Sequence, residues 1–464
     1  MSRAHPYMPN STAEAQAKML AAVGVDNVEA LFEQIPADHL MTRPLNLPAG
    51  IRAEATLDRR MRTLLRENRS TADTISFLGA GLWQHYVPAV CDEIAGRSEF
   101  LTPVWGTPSS DLGRNQAWFE YASQLGELVG MEFVGLPVCS WGAAAGYALR
   151  MAARMTGRNE VVLAGPMDPE RLAVIRTLCG PPEMERSLRP RVVGYDASTG
   201  HVDLDALAAS IGPTTAAVYF ENPNFLGVLE SEANEIATLA RAAGAETIVG
   251  VDPISLGLLA PPSQYGADIT VGSTQPLGVH LNAGGGVSGF IATRDEEAYA
   301  RQYPTLQVSL TDTTRAGQRS FGMTLFEQTS YGCREHGNDW TGNSTYLWAV
   351  VNAVYMSLMG PQGFAEIGAT ISANSSWAAK QIAAVDGVSV RWSSFFKEFV
   401  VDFAGTGRTV ADINASLRSV NIFGGKDLSM DFPELGQSAL YCVTEVHTAD
   451  DITLLTDALQ EAIA

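Results

Sequence analysis

An alternation of strand-length apolar runs with helical segments, between about Thr71 and Arg294, constrains the fold of this chain more than any other feature. The strand-like runs are EVVLAG, RPRVVGYD, TAAVYFEN, ETIVGVD, DITVGST and GGVSGFIAT, and helical stretches such as WGAAAGYALRMAARMTG and EANEIATLARAAG alternate with them. Short apolar strands that alternate with helices are typical of a wound sheet covered by helices on both faces. We therefore predict an α/β protein built on a mostly parallel sheet.

The segments on either side of this alternation predict two further regions. Before it, STAEAQAKMLAAVG begins with a Ser/Thr cap and ends at Gly24, DNVEALFEQIP repeats the helical pattern, and TRPLNLPAG should run extended. After it, long helical stretches precede the short strands VSVRWSS, EFVVDFAG and ALYCVTEV and a last helix. We expect an N-terminal helical arm with an extended joint over 1–70, a large domain over 71–345 and a smaller C-terminal α/β domain over 346–464.

Composition excludes several classes of partner. The 464 residues are 46% hydrophobic, which is ordinary for a globular protein, and carry 31 basic against 51 acidic side chains, a formal charge of −20. Such a field repels phosphate backbones and anionic lipid, so we expect neither nucleic acid nor a membrane surface as a partner. The start lacks the apolar core of a secretory signal, and the most apolar segment, YLWAVVNAVYMSLMG, is too short to cross a bilayer. We expect a cytoplasmic protein.

The cysteines and histidines give little support for a metal or a disulfide framework. Five cysteines are scattered without a C-x-x-C pair, and the seven histidines form no H-E-x-x-H motif. We expect reduced thiols, mostly buried, and no metal.

Two strand ends carry the polar residues of greatest interest. Asp252 ends the run ETIVGVD, and the next strand, DITVGST, leads into Gln275. Open α/β sheets bind ligands at the carboxyl ends of their strands. An aspartate there would suit a pyridoxal phosphate (PLP) site, because the carboxylate keeps the pyridine nitrogen protonated. The simpler interpretation of Asp252 is a cap or turn former before Pro253, and of the glycine run AGGGVSG a tight turn.

The lysine count argues against a PLP Schiff base in the large domain. Only Lys18, Lys380, Lys397 and Lys426 occur, so no lysine lies in the α/β domain. An internal aldimine needs a lysine amine. The sequence therefore predicts that the large domain cannot hold PLP covalently.

Several segments together identify a family. SFLGAGLWQHYVPAV with SEF, VYFENPNFLGVLE, GADITVGSTQPLGVHLNAGGG and YMSLMGPQGFAEI resemble the α subunit of the split glycine cleavage system P-protein, glycine dehydrogenase (decarboxylating) subunit 1. The similarity runs from about residue 5 to the last hundred residues. The resemblance implies the fold of PLP-dependent transferases, fold type I, in a chain without the cofactor lysine.

The resemblance also implies partners and a reaction. A homologous lysine-bearing β subunit would hold the PLP covalently, and the two chains would form an α₂β₂ heterotetramer of amino-acid metabolism. That complex decarboxylates glycine and passes the aminomethyl group to a lipoyl-carrying H-protein. By its place before the glycine turn, Gln275 occupies the β subunit's lysine position. The substrate could instead be another small α-amino acid, and the carrier another protein.

This sequence departs from the family's pattern in the loops that would face the partner's site. The tyrosine-rich loop is replaced by LTPVWGTPSSDLGR, which keeps Thr102 and Pro103. The strongly basic helix start is replaced by SYGCREHGNDWTGNST, with Asp339 in place of the usual cation, and the GGP turn is GGG. The fold is therefore predicted more firmly than the substrate.

Individual residues have two interpretations each. His85 matches a family histidine but could simply pack in its turn, and Arg114 could bind a substrate carboxylate, although a surface arginine at a helix start is favoured. His280 could act as a base but is expected in solvent. Ser140 and Gly142 open a helix whose free N–H groups could bind an anion, a site expected to be vestigial here. The residues predicted to face the interface or the substrate are His85, Thr102, Pro103, Arg114, Thr341, Asn343 and Ser344.

The function favoured by the sequence is thus an enzyme subunit that is not active alone and that completes the PLP site of its partner. Two alternatives stay open. One is a regulatory or scaffolding pseudoenzyme, and the other is a lysine-independent enzyme that uses pyridoxamine phosphate, with Asp252 on the ring nitrogen and His280 as base.

Overall fold

The structure is a computed structural model of the 464-residue chain. It describes residues 4–5, 7–41, 43–101, 108–184, 186–324, 333, 337–341 and 344–464, with the backbone alone for 108–113 and 324. The chain divides into two compact units, Met1–Arg69 and Ser70–Ala464.

The described strands and helices are numbered in chain order. The strands are β1 (Ile75–Ser76), β2 (Phe133–Val134), β3 (Glu160–Ala164), β4 (Arg189–Val193), β5 (Thr215–Glu221), β6 (Glu246–Val251), β7 (Ile269–Ser273), β8 (Gly289–Thr293), β9 (Gln307–Asp312), β10 (Arg319–Thr324), β11 (Ser389–Val390), β12 (Glu398–Asp402), β13 (Ile422–Phe423), β14 (Lys426–Asp427) and β15 (Ser438–Cys442). The helices are α1 (Ala13–Val23), α2 (Glu54–Leu65), α3 (Ala89–Ala95), α4 (Pro108–Val129), α5 (Trp141–Thr156), α6 (Pro169–Cys179), α7 (Leu204–Ser210), α8 (Ala233–Ala242), α9 (Glu297–Ala300), α10 (Tyr346–Ile382), α11 (Val410–Ser419) and α12 (Ala449–Ile463).

A seven-stranded sheet with the strand order β2-β8-β7-β6-β5-β3-β4 forms the centre of the second unit. Strands β7, β6, β5, β3 and β4 run parallel, whereas β8 and β2 complete one edge in antiparallel pairs. The predicted mostly parallel α/β sheet is therefore confirmed, and each of the six strand-like runs supplies one of its strands.

Both faces of this sheet are covered, as its apolar strands require. Successive residues of a strand point to opposite faces, so Val162 and Val218 pack in one apolar cluster while Val161 and Ala217 pack in another. Helices α4 and α10 supply residues to the first cluster, and α5 and α6 to the second. The sheet is thus sandwiched between two helical layers.

A second, smaller sheet lies near the carboxyl terminus. It has the antiparallel order β11-β12-β15-β14 and an apolar cluster shared with α11 and α12. Strand β1, at the start of the second unit, pairs in parallel with β13, so that Ile75 lies opposite Ile422. The first residues of the unit are thereby held against its last hundred. The division of the chain at residues 70 and 345 stays a prediction.

The N-terminal unit is built from short helices. Thr12 caps α1 by accepting from the backbone N–H of Ala15 at 3.3 Å, and Gly24 ends it with a φ of +82°, which confirms the predicted start and stop. The second predicted helix, in DNVEALFEQIP, is wrong, since it forms only a 3₁₀ turn at Glu29–Phe32. A segment that ends so soon at a proline cannot offset the cost of helix nucleation by itself.

The hairpin of β9 and β10 was not predicted from the sequence. Gln307 lies opposite Thr324 at one end of the hairpin, and Asp312 lies opposite Arg319 at the other. Residues 309–319 are exposed. Its alternation of polar and apolar residues, as in QVSLT, is short, and residues 309–319 form no buried face.

Candidate functional site

The ends of β6 and β7 bring the two predicted residues to the same edge of the sheet. The strands are parallel neighbours, with Val251 opposite Gly272, so Asp252 and the turn that holds Gln275 follow adjacent strand ends. Asp252 is 3% exposed, and its Oδ1 accepts from the backbone N–H of Ile254 at 3.1 Å. It is therefore a cap residue, as the simpler interpretation held, but its second oxygen has another role.

A lysine from the carboxyl-terminal part of the chain contacts that second oxygen. Lys397, directly before β12, places Nζ 2.7 Å from Oδ2 of Asp252, and the residue is 1% exposed. The same Nζ lies 3.5 Å from the centre of the Trp83 ring and 3.2 Å from Nε2 of His85. Although no lysine occurs in the predicted large domain, the fold thus brings Lys397 of the carboxyl-terminal region to the strand ends of the large sheet.

His85 connects Lys397 to a second carboxylate. Its Nδ1 lies 2.8 Å from Oε2 of Glu445, and Oε1 of Glu445 accepts from the backbone N–H of Tyr86 at 2.8 Å. An ammonium group can only donate, so Nε2 of His85 accepts from Lys397 and Nδ1 donates to Glu445. Burial alone would raise the pKa of Glu445, but the His85 ring and the Tyr86 N–H lower it below the ordinary value.

Gln275, at the predicted lysine position, forms hydrogen bonds to two backbone groups. Its Nε2 donates to the Val279 carbonyl at 3.0 Å, and its Oε1 accepts from the Trp83 N–H at 3.3 Å. Asn352 of α10 closes the same turn by donating to the Thr274 and Leu277 carbonyls at 3.0 and 2.7 Å. The neutral amide thus ties the loop of Trp83 to the end of β7.

Trp83, Trp141, Arg171, Glu221 and Lys397 surround one small cleft at these strand ends. A buried ion pair fills part of it. Nη1 of Arg171 on α6 lies 2.7 Å from both carboxylate oxygens of Glu221, and the guanidinium lies 3.8 Å from the Trp141 ring centre. Trp141 donates to the Tyr219 hydroxyl at 3.1 Å, and that hydroxyl donates to Glu221 at 2.7 Å. Burial raises the pKa of Glu221, although Arg171 and Tyr219 oppose the shift.

Glu398 is a second buried acid next to Lys397. Its Oε1 accepts from the Ala80 N–H at 2.6 Å. Burial raises its pKa to about 7, although the Ala80 N–H and the charge of Lys397 lower it in part. A carboxyl group that ionises near neutral pH therefore lies inside the cleft.

The residues present do not fit a PLP ring. Ser140 accepts from the Ala143 N–H at 3.1 Å and so caps α5, and a Cβ added at Gly142 would lie 3.0 Å from the Cβ of Val174. The space left among Trp83, Trp141, the Arg171–Glu221 pair and Lys397 is about 20 Å³, room for about one water. Ligand pockets are usually at least about 300 Å³. The cleft is filled by protein side chains.

Comparison with known proteins identifies the family. The model of the glycine cleavage system P-protein family matches residues 5–459. The chain belongs to the glycine cleavage system P-protein family. Two proteins named "probable glycine dehydrogenase (decarboxylating) subunit 1" are each 35% identical to it. The one from Staphylothermus marinus matches over 99% of this chain and 98% of its own length. The one from Thermococcus onnurineus matches over 98% of this chain and 99% of its own length. The resemblance deduced from the sequence is confirmed.

Solved structures agree with this P-protein assignment. A crystal structure of glycine decarboxylase (P-protein) of the glycine cleavage system, in an inhibitor-bound form, is 30% identical, with a TM-score of 0.85 over 99% of this chain and 100% of that chain. A sphingosine-1-phosphate lyase from Burkholderia pseudomallei has a TM-score of 0.63 at 15% identity, over 91% of this chain and 92% of that chain, and shares the fold. The fold is that of the PLP-dependent enzymes of fold type I, as predicted.

Of the other predicted P-protein site residues, Arg114, Thr341 and Ser344 are described, and none of these three lines the cleft. Arg114 is 3% exposed and its guanidinium lies 5.0 Å from the Trp118 ring centre, so the expected surface position is wrong. It packs inward because α4 turns this face toward α10. Thr341 donates its N–H to the Pro304 carbonyl at 2.8 Å, and Ser344 is half-buried. Thr102, Pro103 and Asn343 lie outside the described residues.

His280 and Asp339 are bound elsewhere in this P-protein chain. His280 is exposed, and its Nε2 lies 3.0 Å from Oδ1 of Asp92. Oδ1 of Asp339 lies 2.8 Å from Nε of Arg150, and its Oδ2 also contacts Arg154, both on α5. The unexpected acid of the sequence thus pairs with two partly buried arginines.

The part of the chain that the structure describes offers neither a metal cluster nor a membrane-spanning helix. There, no group of three or more His, Cys, Asp or Glu side chains could hold a metal ion. Among the described helices, none is long and apolar enough to span a membrane. The cysteines are free thiols, of which Cys91, Cys179 and Cys442 are buried and Cys139 is exposed.

Proposed function

We propose that this chain is the non-lysine α subunit of a glycine-decarboxylating complex, in which a homologous lysine-bearing β subunit holds PLP covalently. The carrying observation is the filled cleft: an amide, Gln275, stands at the predicted lysine position, and Nζ of Lys397 lies 2.7 Å from Oδ2 of Asp252. The related P-proteins are named glycine dehydrogenases and this cleft has no room for the ring, and both observations support a cofactor supplied by a second chain. The naming of the relatives as subunit 1 supports this.

The N-terminal unit supports a protein partner. No described residue between 4 and 69 is buried, and Leu45, Leu47, Leu64 and Leu65 are all exposed. A segment that buries no apolar side chain gains little from the hydrophobic effect, which dominates folding. A large interface with another chain would supply that burial.

In the assembled complex, this chain is proposed to complete the partner's site with two loops. One is the predicted loop Thr102–Arg114, whose described part, Pro108–Arg114, forms the start of α4 and ends at the buried Arg114, and the other is the predicted turn Thr341–Ser344, in which the Thr341 N–H donates to the Pro304 carbonyl. Firmly anchored loops can position a small amino acid and exclude water around it. The aminomethyl group released from glycine would pass to a lipoyl H-protein or another carrier.

The geometry does not favour the pyridoxamine phosphate alternative. Asp252 is paired with Lys397, and His280, the proposed base, is exposed and paired with Asp92. The scaffolding alternative differs from the proposed function in one respect only. In a scaffold, the loops of this chain do not contact the active site of the partner.

Reconstitution with the homologous lysine-bearing chain tests the proposal. This chain alone should release no labelled carbon dioxide from carboxyl-labelled glycine, whereas the assembled complex should. Thr102→Ala or Asn343→Ala should lower the kcat of the complex by about one to two orders of magnitude, roughly 1.4–2.7 kcal/mol. Sedimentation should show that both variants still assemble with the lysine-bearing chain. Thr453→Ala, an exposed threonine on α12, is the control and should change neither quantity.

The outcomes separate the alternatives. Normal turnover in a fully assembled complex of the loop variants would leave the chain as a scaffold. Glycine decarboxylation by this chain alone, or the absence of any complex with the lysine-bearing chain, would contradict the proposal itself.

A further inference from the structure

The pairing of Lys397 with Asp252 resembles the interaction that a cofactor ring would make. In PLP sites of this kind, a buried aspartate faces a protonated pyridine nitrogen. Here the carboxylate faces a protonated ammonium group at 2.7 Å, and an aromatic ring, Trp83, covers that cation at 3.5 Å. We propose that Lys397 replaces the cofactor in this chain: its ammonium group is a built-in substitute for the pyridinium nitrogen, and it keeps the cleft closed without a ligand.

Charge balance supports this assignment. The ionisable groups that face Lys397 are Asp252, the His85–Glu445 pair and Glu398, each on a different segment of the chain. A buried carboxylate without a partner is very costly, since its hydration is lost. Asp252 is 3% exposed, and Lys397 provides a cation for it inside the cleft.

The backbone at Lys397 also indicates a position fixed by its surroundings. Its φ of +39° lies in the left-handed region that residues with a Cβ rarely adopt. Such a conformation persists when neighbouring contacts over-determine it. The strained residue is the one whose side chain reaches Asp252, which fits a role of the ammonium group in this cleft rather than incidental packing.

The same contacts join three distant segments. Lys397 precedes β12 of the small sheet, Asp252 follows β6 of the large sheet, and Trp83 and His85 belong to the segment after β1. A bound cofactor could join these segments in an ordinary PLP enzyme, and here one side chain joins them. The inference rests on this geometry alone and does not depend on the proposed partner or substrate.

Chemical rescue tests the substitution. Lys397→Ala in the full chain should lower the thermal midpoint by about 3 to 5 °C, because Asp252 loses its cation. Millimolar n-butylammonium or 4-aminopyridinium, a small ring protonated at its nitrogen, should raise the midpoint of this variant in proportion to the logarithm of its concentration. Neutral n-butanol should not, and wild type and Lys380→Ala, which changes an exposed lysine, should show no response.

A charge-matched pair of variants covers the case in which Lys397→Ala does not fold. Lys397→Met should be destabilised because Asp252 is left buried without its cation, and adding Asp252→Asn should recover most of the loss. Equal stability of the single and double variants would overturn the proposal. So would a Lys397→Ala protein as stable as wild type, or rescue by butanol equal to that by butylammonium.

Cofactor titration gives an independent result. Pyridoxal phosphate and pyridoxamine phosphate should neither shift the thermal midpoint of wild type nor quench its tryptophan fluorescence, because the ring has no place beside Asp252. Stoichiometric quenching by pyridoxamine phosphate that disappears in Trp83→Phe would place the ring in the cleft and overturn the proposal.

Discussion

Glu398 gives the most quantitative prediction. The acid is 5% exposed, accepts from the Ala80 N–H at 2.6 Å and has a pKa raised by burial to about 7, against an ordinary value of 4.5. Glu398→Gln keeps an oxygen for the Ala80 N–H and removes the titrating proton. The variant therefore isolates the cost of charging this position.

The sign and size of the effect follow from the two pKa values. Below pH 4.5 the carboxyl group is protonated in both the folded and the unfolded chain, so wild type has no charging penalty. As the pH rises from 4.5 to about 7, the unfolded chain ionises first and wild type loses stability relative to the variant. Above pH 7 the difference is constant at roughly 3 kcal/mol, from about 1.36 kcal/mol per pKa unit.

Denaturant unfolding of wild type and Glu398→Gln at pH 5, 6, 7 and 8 measures this difference in stability. Glu398→Gln should exceed wild type by roughly 3 kcal/mol at pH 8, and the advantage should shrink toward zero as the pH falls toward 4.5. Glu366→Gln, an exposed glutamate on α10, is the control and should shift stability by less than about 0.5 kcal/mol at each pH. An advantage that is independent of pH, or a variant less stable at pH 8 than at pH 5 relative to wild type, would refute the reasoning.

Two further predictions concern the other buried charges, each measured by denaturant unfolding. Arg171→Met should cost about 3–5 kcal/mol, because Glu221 would be left buried without its cation, whereas Arg176→Met on the exposed side of the same helix should cost little. Equal effects of the two would contradict the importance of the pair. Asp339→Ala should cost about 2 kcal/mol through its bonds to Arg150 and Arg154, while Asp312→Ala, which breaks the exposed pair with Arg319, should cost less than about 0.5 kcal/mol. Similar losses for both aspartates would show that burial does not strengthen the Asp339 interactions.

Local pattern was sufficient for much of the fold. Each apolar run of the large sheet became a strand, and Asp252 and Gln275 follow neighbouring strand ends, as parallel order requires. The cap at Thr12 and the stop at Gly24 are likewise local, because each depends on residues within one helical turn.

Lys397 could not be placed from local pattern, since its partner Asp252 is separated from it by more than a hundred residues. A signal was nevertheless present: the run FFKEFVVDF places Lys397 and Glu398 inside an apolar strand segment, where charged side chains are expected only if they are paired. Arg114 was misplaced for the opposite reason, because a charged residue at a helix start is usually exposed and only tertiary packing against Trp118 buries it.

The exposed N-terminal unit affects how readily a copy of this chain is cleaved in a cell. Helix α2 and its flanks carry six arginines between residues 52 and 69, beside exposed leucines, and none of this surface is buried. Exposed chain segments of this kind are preferred sites of proteolytic cleavage, and exposed apolar surface is recognised by chaperones. We therefore expect a copy of this chain to be cleaved more slowly when another chain covers residues 52–69 than when these residues are exposed.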